Sequence, residues 1–191
     1  MATTLLAYLL TLLFLVTEGR LRQSSDARSL DATASDRGST RLIGVYFGVA
    51  CVALLLAPLL NLIPLGNVGH ATLIGRVGIV IMVAGIALRF WANRVLGAYY
   101  TRTLRIAQEQ RVVEEGPYRL IRHPGYLGIM LMWVGAGLAT VNAITGSVIV
   151  AGVLVVYGYR IRSEEAMLIQ AFGEQYRAYE AHTWRLIPFV L

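Results

Sequence analysis

The sequence predicts an all-α integral membrane protein with about five transmembrane helices, the last two forming a helical hairpin. The chain of 191 residues is 57% hydrophobic and only 15% charged, whereas about 25% of the residues of a typical soluble domain are charged. The apolar residues also gather in long uncharged runs, close to the ~20 residues that a helix needs to cross a bilayer.

The first apolar run, residues 1–17, is rich in leucine and predicts the first membrane helix. A signal peptide is the alternative, but it would need basic residues before the apolar stretch and a small-x-small cleavage site after it. Neither is present, because Thr-Glu-Gly-Arg follows Val16. Residues 18–41 are rich in arginine, serine and aspartate, and they predict a solvated loop.

Residues 42–65 and 71–90 predict the second and third membrane helices, the third with Arg76 near its start and Arg89 near its end. Gly44 and Gly48, and the glycines of the third run, indicate close helix packing. The last uncharged run extends over residues 124–159. As one helix it would be ~54 Å long, far more than the ~30 Å hydrocarbon core. A turn at residues 142–146 is therefore expected, which makes the run a hairpin of two short arms.

The arginines predict the orientation in the membrane. All 17 basic residues are arginine, and 16 of them fall at the end of helix 3 or in the segments that follow helices 1, 3 and 5. Those segments share one side of the membrane, which the positive-inside rule makes cytoplasmic, with the amino terminus outside. The absence of lysine indicates a GC-rich bacterial genome, so a bacterial inner membrane is expected. Because the net charge of +6 is a topology signal, no nucleic-acid partner is expected.

Ionisable and aromatic residues concentrate in two predicted cytoplasmic segments, residues 91–126 and 157–191. Arg160 and Glu164 are one helical turn apart and share a face, which a simple surface ion pair also explains. His123 precedes Pro124, and this bond disfavours helix at the histidine. Cys51 has no cysteine partner, and the scattered histidines lack metal-ligand spacing, so no metal is expected. These residues alone indicate a polar site at the cytoplasmic face.

Two motifs in these segments resemble those of the isoprenylcysteine carboxyl methyltransferases. The first is GPYRLIRHPGYLG at residues 116–128. The second combines Arg160 and the Glu164-Glu165 pair with FGEQYRAY at residues 172–179 and RLIP at residues 185–188. Residues 88–102 are similar to the stretch that precedes the first motif. The resemblance covers roughly residues 75–191, and it divides the chain into two membrane helices with a polar loop (1–70) and a methyltransferase core (71–191).

The resemblance implies a helical membrane bundle that binds S-adenosylmethionine in a cytosolic pocket formed by segments 91–126 and 157–191. It also implies that Arg160 binds the substrate, and that Arg160 and Glu164 are the catalytic candidates. The family's cofactor-binding positions correspond here to Arg105, Gln110, Arg111, Val112, Val113, Tyr118, His123, Pro124, Gly125, Tyr126 and Glu164.

The methyl acceptor is expected to be lipophilic and to approach from the bilayer. A prenylcysteine-like acid or another lipophilic carboxylate needs no base at pH 7, and Arg160 would hold it by a charge-assisted pair. A phenol or amine would have to lose a proton, with His123 or Glu165 as candidate bases. Three alternatives stay open: a phospholipid N-methyltransferase, an NADPH-dependent sterol-reductase-like protein, and a non-enzymatic membrane scaffold that binds a partner.

Overall fold

The computed structural model describes residues 2–21, 36, 38–63, 65–69, 71–97 and 112–189. Over these residues it confirms the all-α prediction, with six α-helices and one 3-10 turn. The helices are α1 (Ala2–Leu21), α2 (Ser39–Leu62), α3 (Ala71–Leu96), α4 (Pro124–Ala139), α5 (Ala143–Phe172) and α6 (Glu174–Ala181), and the 3-10 turn is Gly116–Arg119.

Three of the described helices, α2, α3 and α5, are long and apolar enough to cross a membrane. The apolar part of α1, Ala2–Glu18, and the whole of α4 are shorter. Large apolar side chains project outward from the long helices, such as Leu55 at 69% and Val155 at 67% exposure. A surface of this kind suits a hydrocarbon solvent rather than water. The crossing of the bilayer by all five helices stays a prediction.

Glycines bring α3 and α4 together at backbone contact. A Cβ atom added to Gly85 would lie 2.5 Å from the backbone nitrogen of Met132, and one added to Gly135 would lie 2.5 Å from the carbonyl oxygen of Gly78. Only a residue without a side chain allows so close an approach. The expected close packing is therefore present for the glycines of α3. It is wrong for Gly44 and Gly48 of α2, because a Cβ on either would meet nothing within 4 Å.

The predicted hairpin is formed by α4 and α5, but its turn comes earlier than expected, at residues 140–142. Asn142 is the reason, because its side chain accepts a hydrogen bond from the Thr145 N–H at 3.1 Å and so caps α5. Its Nδ2 also donates to the Leu65 carbonyl at 2.8 Å and to Asn61 Oδ1 at 2.9 Å. These bonds tie the turn to the end of α2.

Helix α5 is longer than a hydrocarbon core requires. Its 30 residues correspond to ~45 Å at ~1.5 Å per residue, against ~30 Å of hydrocarbon. The apolar part, residues 143–159, comes first, and the charged part begins at Arg160. After a break at Gly173 (φ 52°), α6 follows. The polar end of α5 and the start of α4 therefore lie together, at the end of the bundle opposite the hairpin turn.

Candidate active site

The site is built around the start of α4. Pro124 occupies the first turn of the helix, where its missing N–H is not needed and its fixed φ suits the helix. The preceding residue, His123, has a non-helical backbone (φ −122°, ψ 53°). Its ring stacks on that of Tyr126, with centroids 5.7 Å apart and an interplanar angle of 17°. The expectation that the His-Pro bond ends regular structure at residue 123 is therefore confirmed.

The two sequence motifs meet through a short backbone pairing. The Arg122 N–H donates to the Trp184 carbonyl at 2.7 Å, and the Trp184 N–H donates to the Leu120 carbonyl at 2.9 Å. The His123 N–H continues the pairing to the Arg185 carbonyl at 3.2 Å. The segment that enters α4 is thus held by the segment that follows α6.

Glu165 connects these segments to α5 through side chains. Its carboxylate accepts from Arg122 Nε at 3.2 Å and from Arg185 Nη2 at 2.8 Å, and it lies 3.2 Å from His123 Nε2. Only 6% of the Glu165 side chain is exposed. The bond to Glu165 raises the pKa of the Arg185 guanidinium above its ordinary value. A carboxylate with three such neighbours is occupied in positioning them, which argues against Glu165 as the base.

Arg160, earlier on α5 than Glu165, forms a second buried cluster. Its Nη1 lies 2.6 Å from Asp36 Oδ1 and 2.6 Å from Ser39 Oγ, and its Nε donates to the Tyr126 hydroxyl at 3.1 Å. Asp36 also accepts from the Thr40 hydroxyl at 2.7 Å and from the Thr40 N–H at 3.1 Å. Burial opposes ionisation of Asp36, but the bonds from Thr40 and Ser39 and the charge of Arg160 lower its pKa below the ordinary value.

Several buried polar atoms beside these clusters have no hydrogen-bond partner. Among the described residues, the unpartnered atoms at this end of the bundle are Glu164 Oε2, Asn93 Nδ2 and the Tyr176 hydroxyl. Asn93 lies near the start of α4, since a Cβ on Gly125 would be 3.9 Å from its Oδ1. Unsatisfied buried groups are costly, so they point to a missing polar ligand. A carboxylate acceptor and an amide donor are complementary to the ammonium and carboxylate of an amino-acid group such as that of S-adenosylmethionine. The residues present therefore fit this cofactor.

Not all of the predicted site residues can be placed. The elements just described contain most of them: Tyr118, His123, Pro124, Gly125, Tyr126, Arg160 and Glu164. Two more precede the 3-10 turn, Val112, which is half-buried, and Val113, which is buried. Tyr118 is held by its carbonyl, which accepts from the Tyr179 hydroxyl at 2.7 Å. Arg105, Gln110 and Arg111 lie outside the described residues.

Sequence reasoning missed the part that the amino-terminal region plays. Glu18 of α1 pairs with Arg89 of α3 at 2.7 Å, and the side chains are only 8% and 7% exposed. Asp36 likewise supplies the counter-ion of Arg160. Both residues lie at the end of an apolar run, and a charged residue there is rare without a partner. That position is the sequence signal that could have indicated the pairing of Glu18 with Arg89. The described residues contain no group of three or more His, Cys, Asp or Glu that could hold a metal ion.

Fold and site together define an integral membrane protein of the helical-bundle class, with its polar residues gathered at one end. Residues 78–170 match the model of the isoprenylcysteine carboxyl methyltransferase (ICMT) family. Protein-S-isoprenylcysteine O-methyltransferase A of Arabidopsis thaliana is 29% identical over 154 residues, which are 80% of this chain and 78% of the plant protein. The Dictyostelium discoideum protein-S-isoprenylcysteine O-methyltransferase is 33% identical over 118 residues, 59% of this chain and 48% of that protein.

A solved structure of the eukaryotic intramembrane Ras methyltransferase ICMT has the same fold. It superposes with a TM-score of 0.66 at 23% identity, over 75% of this chain and 52% of the solved chain. The present chain therefore spans about half of that protein. The family model and the relatives together show that this chain is similar to the isoprenylcysteine carboxyl methyltransferases.

Proposed function

We propose that the protein is a membrane-embedded, S-adenosylmethionine-dependent methyltransferase that methylates an oxygen of a lipophilic acceptor. Similarity to the isoprenylcysteine carboxyl methyltransferases supports methyl transfer. The observation that supports the cofactor and the oxygen acceptor is the buried Glu164 Oε2, which has no hydrogen-bond partner and lies beside the Arg160 cluster. It offers a binding atom for a cationic cofactor next to a group that can bind an acceptor oxygen.

The chain's own residues divide into binding and positioning groups. Glu164 would accept from the ammonium group of the cofactor, and Asn93 would donate to its carboxylate. His123 and Tyr126 present stacked rings beside them, an apolar surface suited to the cofactor's adenine or its cation. Glu165 holds the arginines and the histidine that fix this turn. When bound, S-adenosylmethionine supplies an electrophilic methyl group on a sulfonium sulfur.

Methyl transfer needs alignment more than it needs acid–base chemistry, because displacement at a methyl carbon requires the attacking oxygen to lie in line with the leaving sulfur. Arg160 is suited to holding that oxygen. It is 2% exposed, and its guanidinium is fixed by contacts from α2 and α4. The surrounding apolar helices would exclude water and admit a lipid-like tail, such as a prenyl group.

The expected topology places the pocket at the cytoplasmic face. In this arrangement α1 to α5 cross the membrane, the amino terminus is outside, and the carboxyl terminus is inside. The concentration of arginine on one side supports this orientation. We infer a bacterial inner membrane as the location from the lysine-free composition. The division into residues 1–70 and 71–191 stays a prediction.

Cofactor binding tests the proposal directly. We expect the purified protein in nanodiscs to bind S-adenosylmethionine by calorimetry, and the Glu164→Gln variant to bind it at least tenfold more weakly, since a charge-assisted bond contributes about 1.5–3 kcal/mol. Glu174→Gln is the matched control, because the Glu174 side chain is 94% exposed. Lack of binding by the wild type would refute the proposal. Methylation of a lipid amine rather than an oxygen would instead identify a phospholipid N-methyltransferase.

A further inference from the structure

Tyr176 of α6 is a buried residue to which the proposed reaction gives no role. Its side chain is 2% exposed, and its hydroxyl has no hydrogen-bond partner in the part of the chain that the structure describes. The neighbouring Tyr179 is 3% exposed, but its hydroxyl donates to the Tyr118 carbonyl at 2.7 Å. The rings of Tyr176 and Tyr179 pack edge to face, with centroids 5.8 Å apart. Packing therefore explains the ring of Tyr176 but not its hydroxyl, because buried polar groups are normally paired.

The packing of α6 places this hydroxyl near the carboxylates of α5. Arg122 donates to Glu165 at 3.2 Å and to the carbonyl of Glu180 at 3.2 Å. Glu180 is one helical turn after Tyr176, so both lie on the same face of α6. Burial raises the pKa of the Tyr176 phenol above its ordinary value, and the negative charges of Glu165 and Glu164 act in the same direction. The hydroxyl therefore stays neutral, and it lies within electrostatic reach of both carboxylates.

The charges around Tyr176 favour a cationic ligand over an anionic one. Glu165 is already compensated by Arg122 and Arg185, whereas the buried Glu164 Oε2 has no hydrogen-bond partner among the described residues. A ligand carboxylate would be repelled by both glutamates, and like charges repel strongly in a desolvated region. A ligand ammonium group would be attracted, and it has three N–H donors to share among several acceptors.

We propose that the Tyr176 hydroxyl binds the ammonium group of S-adenosylmethionine, accepting one of its N–H bonds while Glu164 Oε2 accepts another. The inference rests on the proposed methyltransferase function, and it adds a residue of α6 to the cofactor site. Asn93 Nδ2, on α3, then serves the carboxylate of the same amino-acid group. Because α6 follows the break at Gly173, an ammonium group held from both sides would also hold α6 against α5.

Tyr176→Phe removes the hydroxyl and keeps the ring, so stability and binding should move in opposite directions. In the cofactor-free protein the unpartnered hydroxyl costs stability, and the melting temperature in nanodiscs should rise by about 2–4 °C. Calorimetric affinity for the demethylated cofactor product, which keeps the ammonium group, should fall about tenfold or more, or about 1.4 kcal/mol. A second probe, the same product with hydrogen in place of the ammonium group, should bind to the variant and to the wild type equally.

Tyr179→Phe is the matched control, because it removes a buried hydroxyl that does have a partner. It should lower the melting temperature and weaken the binding of both probes alike. If Tyr176→Phe behaves in the same way, the inference is overturned, because its hydroxyl is then structural. Unchanged affinity of Tyr176→Phe for the product overturns the inference alone, provided that the wild type binds S-adenosylmethionine. If the wild type binds neither S-adenosylmethionine nor its product, the proposed function fails and this inference fails with it.

Discussion

Replacing Glu165 by glutamine removes the carboxylate that Arg122, His123 and Arg185 share. The glutamine side chain has nearly the same shape, so the change tests charge rather than packing. The three partners lie in the segment before α4 and the segment after α6, whereas Glu165 is on α5. We therefore expect the three elements to separate in the variant, at the place where the cofactor is proposed to bind.

The magnitude follows from burial. Removing one partner of a buried ion pair costs about 3–5 kcal/mol, because the remaining charge is left uncompensated. Arg122 is 9% exposed, so its charge would be left buried and uncompensated, whereas Arg185 is 41% exposed and stays hydrated. We therefore expect the lower end, about 3 kcal/mol, of lost unfolding free energy. For a chain of this size about 1 kcal/mol shifts the melting temperature by about 2–4 °C, so the expected shift is about 6–12 °C.

Thermal unfolding in nanodiscs, followed by tryptophan fluorescence, measures the shift. Trp184 lies in the affected segment, where its backbone pairs with Leu120 and Arg122. Affinity for S-adenosylmethionine, measured by calorimetry below the melting transition, should fall together with stability. The matched control is Glu174→Gln, because its ion pair with Arg177 is 94% and 61% exposed and contributes about 0–1 kcal/mol.

The reasoning fails if Glu165→Gln melts within about 2 °C of the wild type, since that would mean less than about 1 kcal/mol from the whole cluster. It also fails if the exposed control costs as much as the buried change. A variant with normal stability but no cofactor affinity would point instead to direct contact between Glu165 and the cofactor.

Three further changes test the packing and the turns. Gly85→Ala should lower the melting temperature by about 2–12 °C, because the new Cβ would meet backbone atoms of α4 and overpacking costs about 1–3 kcal/mol. The control is Gly48→Ala, whose Cβ would meet nothing within 4 Å and which should leave the melting temperature unchanged. Asn142→Ala removes a helix cap and the bonds to α2, so chemical unfolding should show a loss of about 1–2 kcal/mol; no loss would contradict the structural role. Tyr179→Phe frees the Tyr118 carbonyl and should weaken cofactor binding several-fold at about 1 kcal/mol, whereas unchanged calorimetric affinity would exclude a link between α6 and the pocket.

The helices could be predicted from the sequence because hydropathy is a local property. The second predicted run, residues 42–65, differs by three residues at each end from the observed helix, Ser39–Leu62. The third helix was underestimated, since α3 continues to Leu96, beyond the expected end at residue 90. Arg89 and Asn93 are polar, and only their burial against other helices keeps them in a membrane helix. The predicted hairpin turn comes too late, because several small or polar residues around it are each compatible with a turn. The capping bond from the Thr145 N–H to the Asn142 side chain starts α5 directly after Asn142 and so fixes the turn before it.

The site was predictable to the extent that its residues are neighbours in sequence or part of a motif. The His-Pro turn and the Glu164-Glu165 pair are of this kind. The role of Glu165 was not predictable, because its partners lie 43, 42 and 20 residues away in the chain. The sequence predicts that Arg160 can pair with Glu164, its neighbour on the helix, whereas the structure places the Asp36 carboxylate, within the part of the chain that it describes, 2.6 Å from its guanidinium.

By itself, the sequence determined a small all-helical membrane protein with a polar site between two motifs, because the free energy of apolar runs in a bilayer depends on composition over about 20 residues. Only the tertiary structure decided which charges meet. Asp36 and Arg160 are 124 residues apart, and Glu18 and Arg89 are 71 apart. Their pairing depends on which helices pack together, since buried charges require partners wherever the fold supplies them. That requirement brings the amino-terminal region into the site.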